Sequence, residues 1–150
     1  MIDHYRIRPA RADEKATIKA MIRGERLDPT NLHWQNFLVA EEQGRIIGIG
    51  QVKPYRSGRE LGSLVVQPDY RRAGVGAAII RALIAREDGP LLLFCLAFRE
   101  SYYAKFGFRR AAMRDLPGVF TFKYVLGSFF TRMIGRRLIA MKRPIGQLRS

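Results

Sequence analysis

Arg71, Arg72, Gly74 and Gly76 stand within six residues of one another, directly after the apolar run Leu64-Val65-Val66 and Pro68. Residues of these types at this spacing suit one task, which is holding a phosphate-rich anion. A strand ends at Pro68, because proline has no N–H to give a sheet. Asp69 and Tyr70 carry the turn, and the two glycines let the backbone approach a ligand closely. A helix then opens, with Val75, Ile79, Ile80, Leu83 and Ile84 as its apolar residues. The free amide N–H groups at its start converge on one point, where the helix dipole also favours negative charge.

A glycine pair after a strand also occurs in dinucleotide-binding folds. Here the turn is longer and more basic, and no acidic residue ends a second strand about 20 residues on; Glu87 and Asp88 sit at the helix end instead. The full string Val66-x-Pro68-x-x-Arg71-x-x-Gly74-x-Gly76 resembles the acyl-CoA-binding motif of the GNAT N-acetyltransferase superfamily. The resemblance implies that the amides around Arg72, Ala73, Gly74, Val75, Gly76 and Ala77 seat the pyrophosphate of acetyl-CoA, with Arg71 and Arg72 adding positive charge. It also implies that Leu64, Val65 and Val66 offer backbone groups to the pantetheine arm. The Val66 amide then polarises the thioester carbonyl.

The string Tyr103-Ala104-Lys105-Phe106-Gly107-Phe108 is similar to the family's Tyr-x-x-x-Gly-Phe element. A phenol stays protonated at neutral pH and can donate to a departing thiolate, which makes Tyr103 the expected acid. Tyr102, one position away, points about 100° elsewhere on a helix and is expected to pack. In one respect the chain departs from the pattern. Ala97-Phe98 stands where many members place an asparagine after the fifth strand, so one side-chain contact to the cofactor is not implied.

An alkylammonium acceptor is almost wholly protonated at neutral pH, so a general base is useful. Glu60 is the candidate, because uninterrupted alternation puts it on one face with Gly62, Leu64 and Val66. A bulge would spoil that count, and a solvated strand-end carboxylate fits the same residues. Glu41 and Glu42 beside a hairpin turn, and His33 in a polar loop, read as solvated groups.

Length and composition bound the alternatives. A chain of 150 residues is expected to form one domain, residues 1–150, without disulfides or metal. One cysteine and two histidines make no zinc site. Cys95 lies inside the apolar run Leu91–Leu96 and reads as a reduced core residue. The first residues lack the apolar core of a signal peptide and no run is long enough to span a membrane, so a cytoplasmic protein is expected. Residues 99–150 hold 12 Lys and Arg against 2 Asp and Glu, a net +10 within the total of +14. Such a field attracts anions generally, but no nucleic-acid-binding signature accompanies it.

Alternation over 4–8, an apolar stripe at Ile18, Met21 and Ile22, and strand-like runs at 37–40, 45–52 and up to 66 predict β-α-β-β-β. A helix over 74–86, a buried strand over 91–96, a helix over 99–106 with Gly107 as its left-handed cap, and a strand from Phe108 complete β-α-β-β-β-α-β-α-β. This α/β order, with a mixed central sheet, is the one the GNAT fold shows. Val119–Ile134 reads as a further helix packed on the sheet, before a closing strand at 137–141. A sharper reading places that helix beside the substrate site or on an anionic membrane.

Three functional classes follow. The leading one is an N-acetyltransferase moving an acetyl group directly from acetyl-CoA to a primary amine, with no metal and no acetyl-cysteine. The family resemblance allows a homodimer. The others are an acyl-CoA-binding sensor without turnover, and a basic protein that binds nucleic acid or a membrane surface.

Overall fold

The computed structural model describes residues 4–144. Its strands and helices follow one another as β1 (Arg6–Pro9), α1 (Lys15–Gly24), β2 (Phe37–Glu42), β3 (Arg45–Tyr55), β4 (Gly58–Val66), α2 (Val75–Ala85), β5 (Leu91–Leu96), α3 (Glu100–Ala104), β6 (Arg109–Ala111), α4 (Gly118–Met133) and β7 (Leu138–Arg143). This is the predicted order with the added helix and closing strand. The sheet runs β1-β2-β3-β4-β5-β7-β6. It is mixed, because β4 and β5 are parallel while β1-β2, β2-β3, β5-β7 and β6-β7 are antiparallel.

The chain divides into two units, with β3 and β4 contributing to both. The first comprises residues 4–53 and 61–87. In it β1 pairs with β2, Arg8 opposite Val39, and β2 pairs with β3 across the Glu42–Arg45 turn. Ile18 and Ile22 of α1 bury their stripe against Phe37, Val39, Ile49 and Val65. The helix α2 buries Val75, Ile79, Ile80, Leu83 and Ile84, the apolar set read from the sequence. It lies so close to β3 that a Cβ on Gly50 would fall 2.8 Å from the Ile79 Cγ2 and 3.2 Å from a Leu83 methyl. Ile79 is fully buried and β-branched, so it has little room to give. Gly50→Ala is therefore expected to cost about 1–3 kcal/mol by overpacking, read as a lowered urea midpoint with an unchanged slope.

The second unit comprises residues 54–60 and 88–144. Here β5 pairs parallel with the start of β4, Glu60 opposite Leu92, and antiparallel with β7, Leu93 opposite Met141. Leu92, Leu116, Phe120 and Ala140 form its core, with Tyr55 and Phe94 packed against them. Phe120 meets Tyr55 edge to face at 5.1 Å between centroids.

The helix expected over 119–134 forms, but its orientation is the reverse of what an apolar stripe normally dictates. Phe120 is its one buried residue. Gly127 lies close to β7, where a Cβ would stand 2.8 Å from a Leu138 methyl. Tyr124 packs partly buried against the core of this unit, and the remaining large apolar side chains of α4 turn to solvent.

Candidate active site

The first unit holds the glycine-rich bend. The amide of Gln67 is tied to the Ile47 carbonyl at 2.8 Å, fixing the end of β4. Residues 68–70 make one tight helical turn, in which the Tyr70 amide donates to the Gln67 carbonyl. The Tyr70 hydroxyl donates to Glu42 at 2.6 Å, and this bond holds the phenol above its ordinary pKa. Arg72 and Gly74 then take left-handed conformations, φ 67° and 84°. Gly74 is the N-cap of α2, and a Cβ there would meet nothing within 4 Å. The space in front of this helix end is open. Val75, Gly76 and Ala77 occupy its first turn, whose N–H groups have no acceptor within the helix.

Arg71 plays a more structural part than its charge suggests. Its Nε donates to the Val66 carbonyl at 3.2 Å, and its guanidinium pairs with Glu25 at 2.6 Å. It braces the strand end against the start of the 25–36 loop. Arg72 is exposed. Beside Val65 and Val66, a cleft of about 390 Å³ opens between α1 and the chain leaving β4. Thr17, Met21, Gly24 and Pro68 are among the residues lining it.

Within β4 the alternation is broken. Ser63 sits at φ 53°, and its hydroxyl accepts from the buried Gln51 amide at 2.9 Å. Glu60 and Leu61 are both buried. Counting by twos from Glu60 to Val66 therefore does not fix which face Glu60 shares.

The second unit holds Tyr103 and Glu60. Tyr103 lies on α3, its ring edge-on to Tyr102 at 5.2 Å and to Phe108 at 6.4 Å. The left-handed Gly107, φ 88°, turns the chain so that Phe108 packs back under the helix. The buried Arg143 caps this turn, its Nε donating to the Phe106 carbonyl at 2.9 Å. Removal from water pushes the Tyr103 hydroxyl up to about 12, with Cys95 adding to the rise and Arg99 opposing it. Tyr102 packs on Phe106 instead, at 5.4 Å.

Glu60 is not a solvated carboxylate. It accepts from Lys123 at 2.7 Å, and the same ammonium donates to the Tyr55 hydroxyl at 2.8 Å and lies 5.0 Å from the Tyr55 ring centre. No sequence signal marks Lys123 as its partner, because 63 residues separate the two. Lys123→Met leaves a buried carboxylate short of its cation, and it is expected to cost about 1–2 kcal/mol at neutral pH. Adding Glu60→Gln in the same chain should recover most of that loss in urea unfolding.

Two further acids expected in solvent are bonded as well. Glu41 accepts from Arg8 and, more weakly, from Arg6, which holds its carboxyl below the usual range, and Glu42 accepts from Tyr70. Phe98, at the position of the missing asparagine, is 65% exposed, with the guanidinium carbons of Arg99 and Arg136 at 5.3 and 5.9 Å from its ring centre.

The pattern of the family described as Acetyltransferase (GNAT) domain matches residues 33–110, just over half of the 150. No curated protein matches the chain by sequence. Among solved structures, N-acetylglutamate synthase from Neisseria gonorrhoeae, complexed with coenzyme A and N-acetyl-glutamate, is similar with a TM-score of 0.74 and 21% identity. The match covers 95% of this chain and 35% of that one, so the present chain spans about a third of the length of that synthase. A Mycobacterium tuberculosis protein in complex with CoA is similar with a TM-score of 0.71 and 17% identity, covering 94% and 99% of the two chains. A ribosomal-protein-alanine N-acetyltransferase from Escherichia coli gives 0.63 and 18%, covering 97% and 99%.

Proposed function

The chain belongs to the GNAT acetyltransferase family, and on that premise we propose that it moves an acetyl group from acetyl-CoA directly to a primary amine. The observation that carries the reading is the open, left-handed Gly74 at the head of α2. The unpaired amides of Val75, Gly76 and Ala77 receive the pyrophosphate through charge-assisted bonds, and Arg72 and Ala73 complete the bend. Arg71 contributes by holding the Val66 carbonyl, which orients the strand end. Backbone groups of Leu64, Val65 and Val66 take the pantetheine arm, and the Val66 amide donates to the thioester oxygen as charge develops on it.

The neutral amine attacks the thioester carbon. A C–N bond forms, the C–S bond breaks, and the thiolate takes its proton from the Tyr103 hydroxyl. The amine's surplus proton leaves to a base or to water. Glu60 fills that role only if its pairing with Lys123 loosens when the acceptor binds. Cys95 supports direct transfer over an acetyl-cysteine. Burial pushes its thiol up to about 11, which leaves a thiolate fraction of roughly one in ten thousand at neutral pH.

Two of the similar structures favour an amine acceptor by their names, one making N-acetylglutamate and one acting on a protein alanine. A thermal-shift series with acetyl-CoA, followed by thiol release with a panel of amino acids, peptides and small amines, tests the reading. Stabilisation growing as RT ln(1 + [L]/Kd), together with amine-dependent thiol release, is expected. Stabilisation without release under any acceptor points to a sensor, and the absence of both stabilisation and release rejects acyl-CoA binding altogether.

A further inference from the structure

The helix α4 carries its apolar stripe on the wrong side for a helix that only covers a sheet. Val119, Phe122, Leu126, Phe129 and Met133 recur at three- and four-residue spacing, the pattern of one helical face. All are exposed, and Phe122, Phe129 and Met133 are 62–71% accessible. The opposite side buries Phe120 and packs Tyr124 against the core, and otherwise carries small or polar residues, including Thr121, Gly127, Ser128 and Thr131, all partly buried. A fold that needed this helix only as a cover would turn Phe122, Phe129 and Phe130 inward beside Phe120.

The chemistry around the face says what covers it. Phe122, Phe129 and Met133 have side chains without strong hydrogen-bonding groups, so a partner rich in polar groups gains little from them. Arg132, Arg136 and Arg137 stand exposed at and just beyond the C-terminal end of the helix. After Asp115 the sequence holds seven Lys and Arg and no acid. A second copy seated here would bring one such basic segment against another, whereas an anionic surface complements it. An apolar aromatic face bordered by arginines is the arrangement of a helix lying in a membrane interface. Among the described residues no helix is long and apolar enough to cross a membrane. The sixteen residues of α4 span about 24 Å, which suits a helix lying flat.

We propose that the outward face of α4, with Arg132, Arg136 and Arg137, docks this protein on the surface of an anionic lipid bilayer. Phe122, Phe129 and Met133 enter the headgroup–acyl boundary while the arginines meet lipid phosphates. The contact is independent of acetyl transfer.

Cosedimentation with vesicles of equal parts phosphatidylglycerol and phosphatidylcholine, against pure phosphatidylcholine vesicles, tests it at low and physiological salt. Pelleting with the anionic vesicles alone, weakening as salt rises, is expected. The double variant Phe122→Ser with Phe129→Ser should lower vesicle affinity by at least about tenfold, and Arg132→Glu by about fivefold or more. Because these side chains face water, the melting temperature should stay level or rise. No pelleting at low salt overturns the proposal. So does pelleting that the phenylalanine variant leaves unchanged. A concentration-dependent dimer in sedimentation velocity, abolished by the same phenylalanine variant, would assign the face to a second copy instead.

Discussion

Ala77→Asp should weaken acetyl-CoA binding by about a hundredfold while leaving the fold as stable as before, or slightly more so. The two effects have opposite signs because they use the same field. Ala77 is the third residue of α2, counted from the Gly74 cap. A carboxylate there lies in the first turn, where the helix dipole stabilises it by about 0.3–1 kcal/mol. The diphosphate, if it seats on the same turn, then meets a like charge. At a separation of about 6 Å and an effective dielectric near 20, each unit pair repels by roughly 3 kcal/mol, which is about a hundredfold in affinity. Ala77→Asn supplies the same bulk without the charge and should lose under about tenfold. Thermal melts of the free proteins, with titration calorimetry against acetyl-CoA, separate the terms. Added salt should narrow the gap between the Asp and Asn variants, since both charges are near solvent. An aspartate variant that binds as tightly as the parent would place the donor elsewhere.

The glycine-rich bend at the head of α2 was legible in the sequence because its determinants are local. A proline to stop a strand, two glycines and an apolar helical period lie within twenty-one residues, Leu64–Ile84, and each acts on its immediate neighbours. The left-handed Gly74 and the helix that follows it are the direct result. Gly107 and Phe108 were legible for the same reason. The features that could not be read depend on distance or on an unusual local choice. Lys123 finds Glu60 across 63 residues, and Lys53 finds Asp28 across 25. Ser63 adopts a conformation more usual for glycine or asparagine, so no residue type announces the break in β4. The facing of α4 was hidden for a third reason. Periodicity locates an apolar stripe but does not say what covers it, and in α4 the protein itself covers the other side.

Tyr103→Phe should lower kcat by about a hundredfold to a thousandfold, within the range that a positioned general acid contributes. The phenylalanine keeps the edge-on contacts that the Tyr103 ring makes with Tyr102 and Phe108, so the packing of α3 survives. What disappears is the hydroxyl that the proposed mechanism uses as proton donor when the C–S bond breaks. A group that acts only in the transition state lowers kcat and kcat/KM together and leaves the KM for acetyl-CoA nearly unmoved. Tyr102→Phe serves as the matched control and should stay within about threefold of the parent, because that ring packs on Phe106 on another side of the same short helix. The pH profile adds a second discriminator. With the Tyr103 hydroxyl pushed up to about 12 by desolvation, the parent should gain activity as the acceptor amine loses its proton, and show no alkaline fall from Tyr103 below about pH 11. The same shift has a consequence for folding. The folded state holds that proton more tightly than the unfolded chain, so the stability it contributes is fully present below the ordinary phenol pKa near 10 and is lost as pH rises toward 12. The phenylalanine variant has no such loss, and its melting temperature should fall less steeply than the parent's above pH 10. Equal kcat in parent and variant across pH 7–10 would take Tyr103 out of the reaction, and the proton would then have to come from water or from the amine itself.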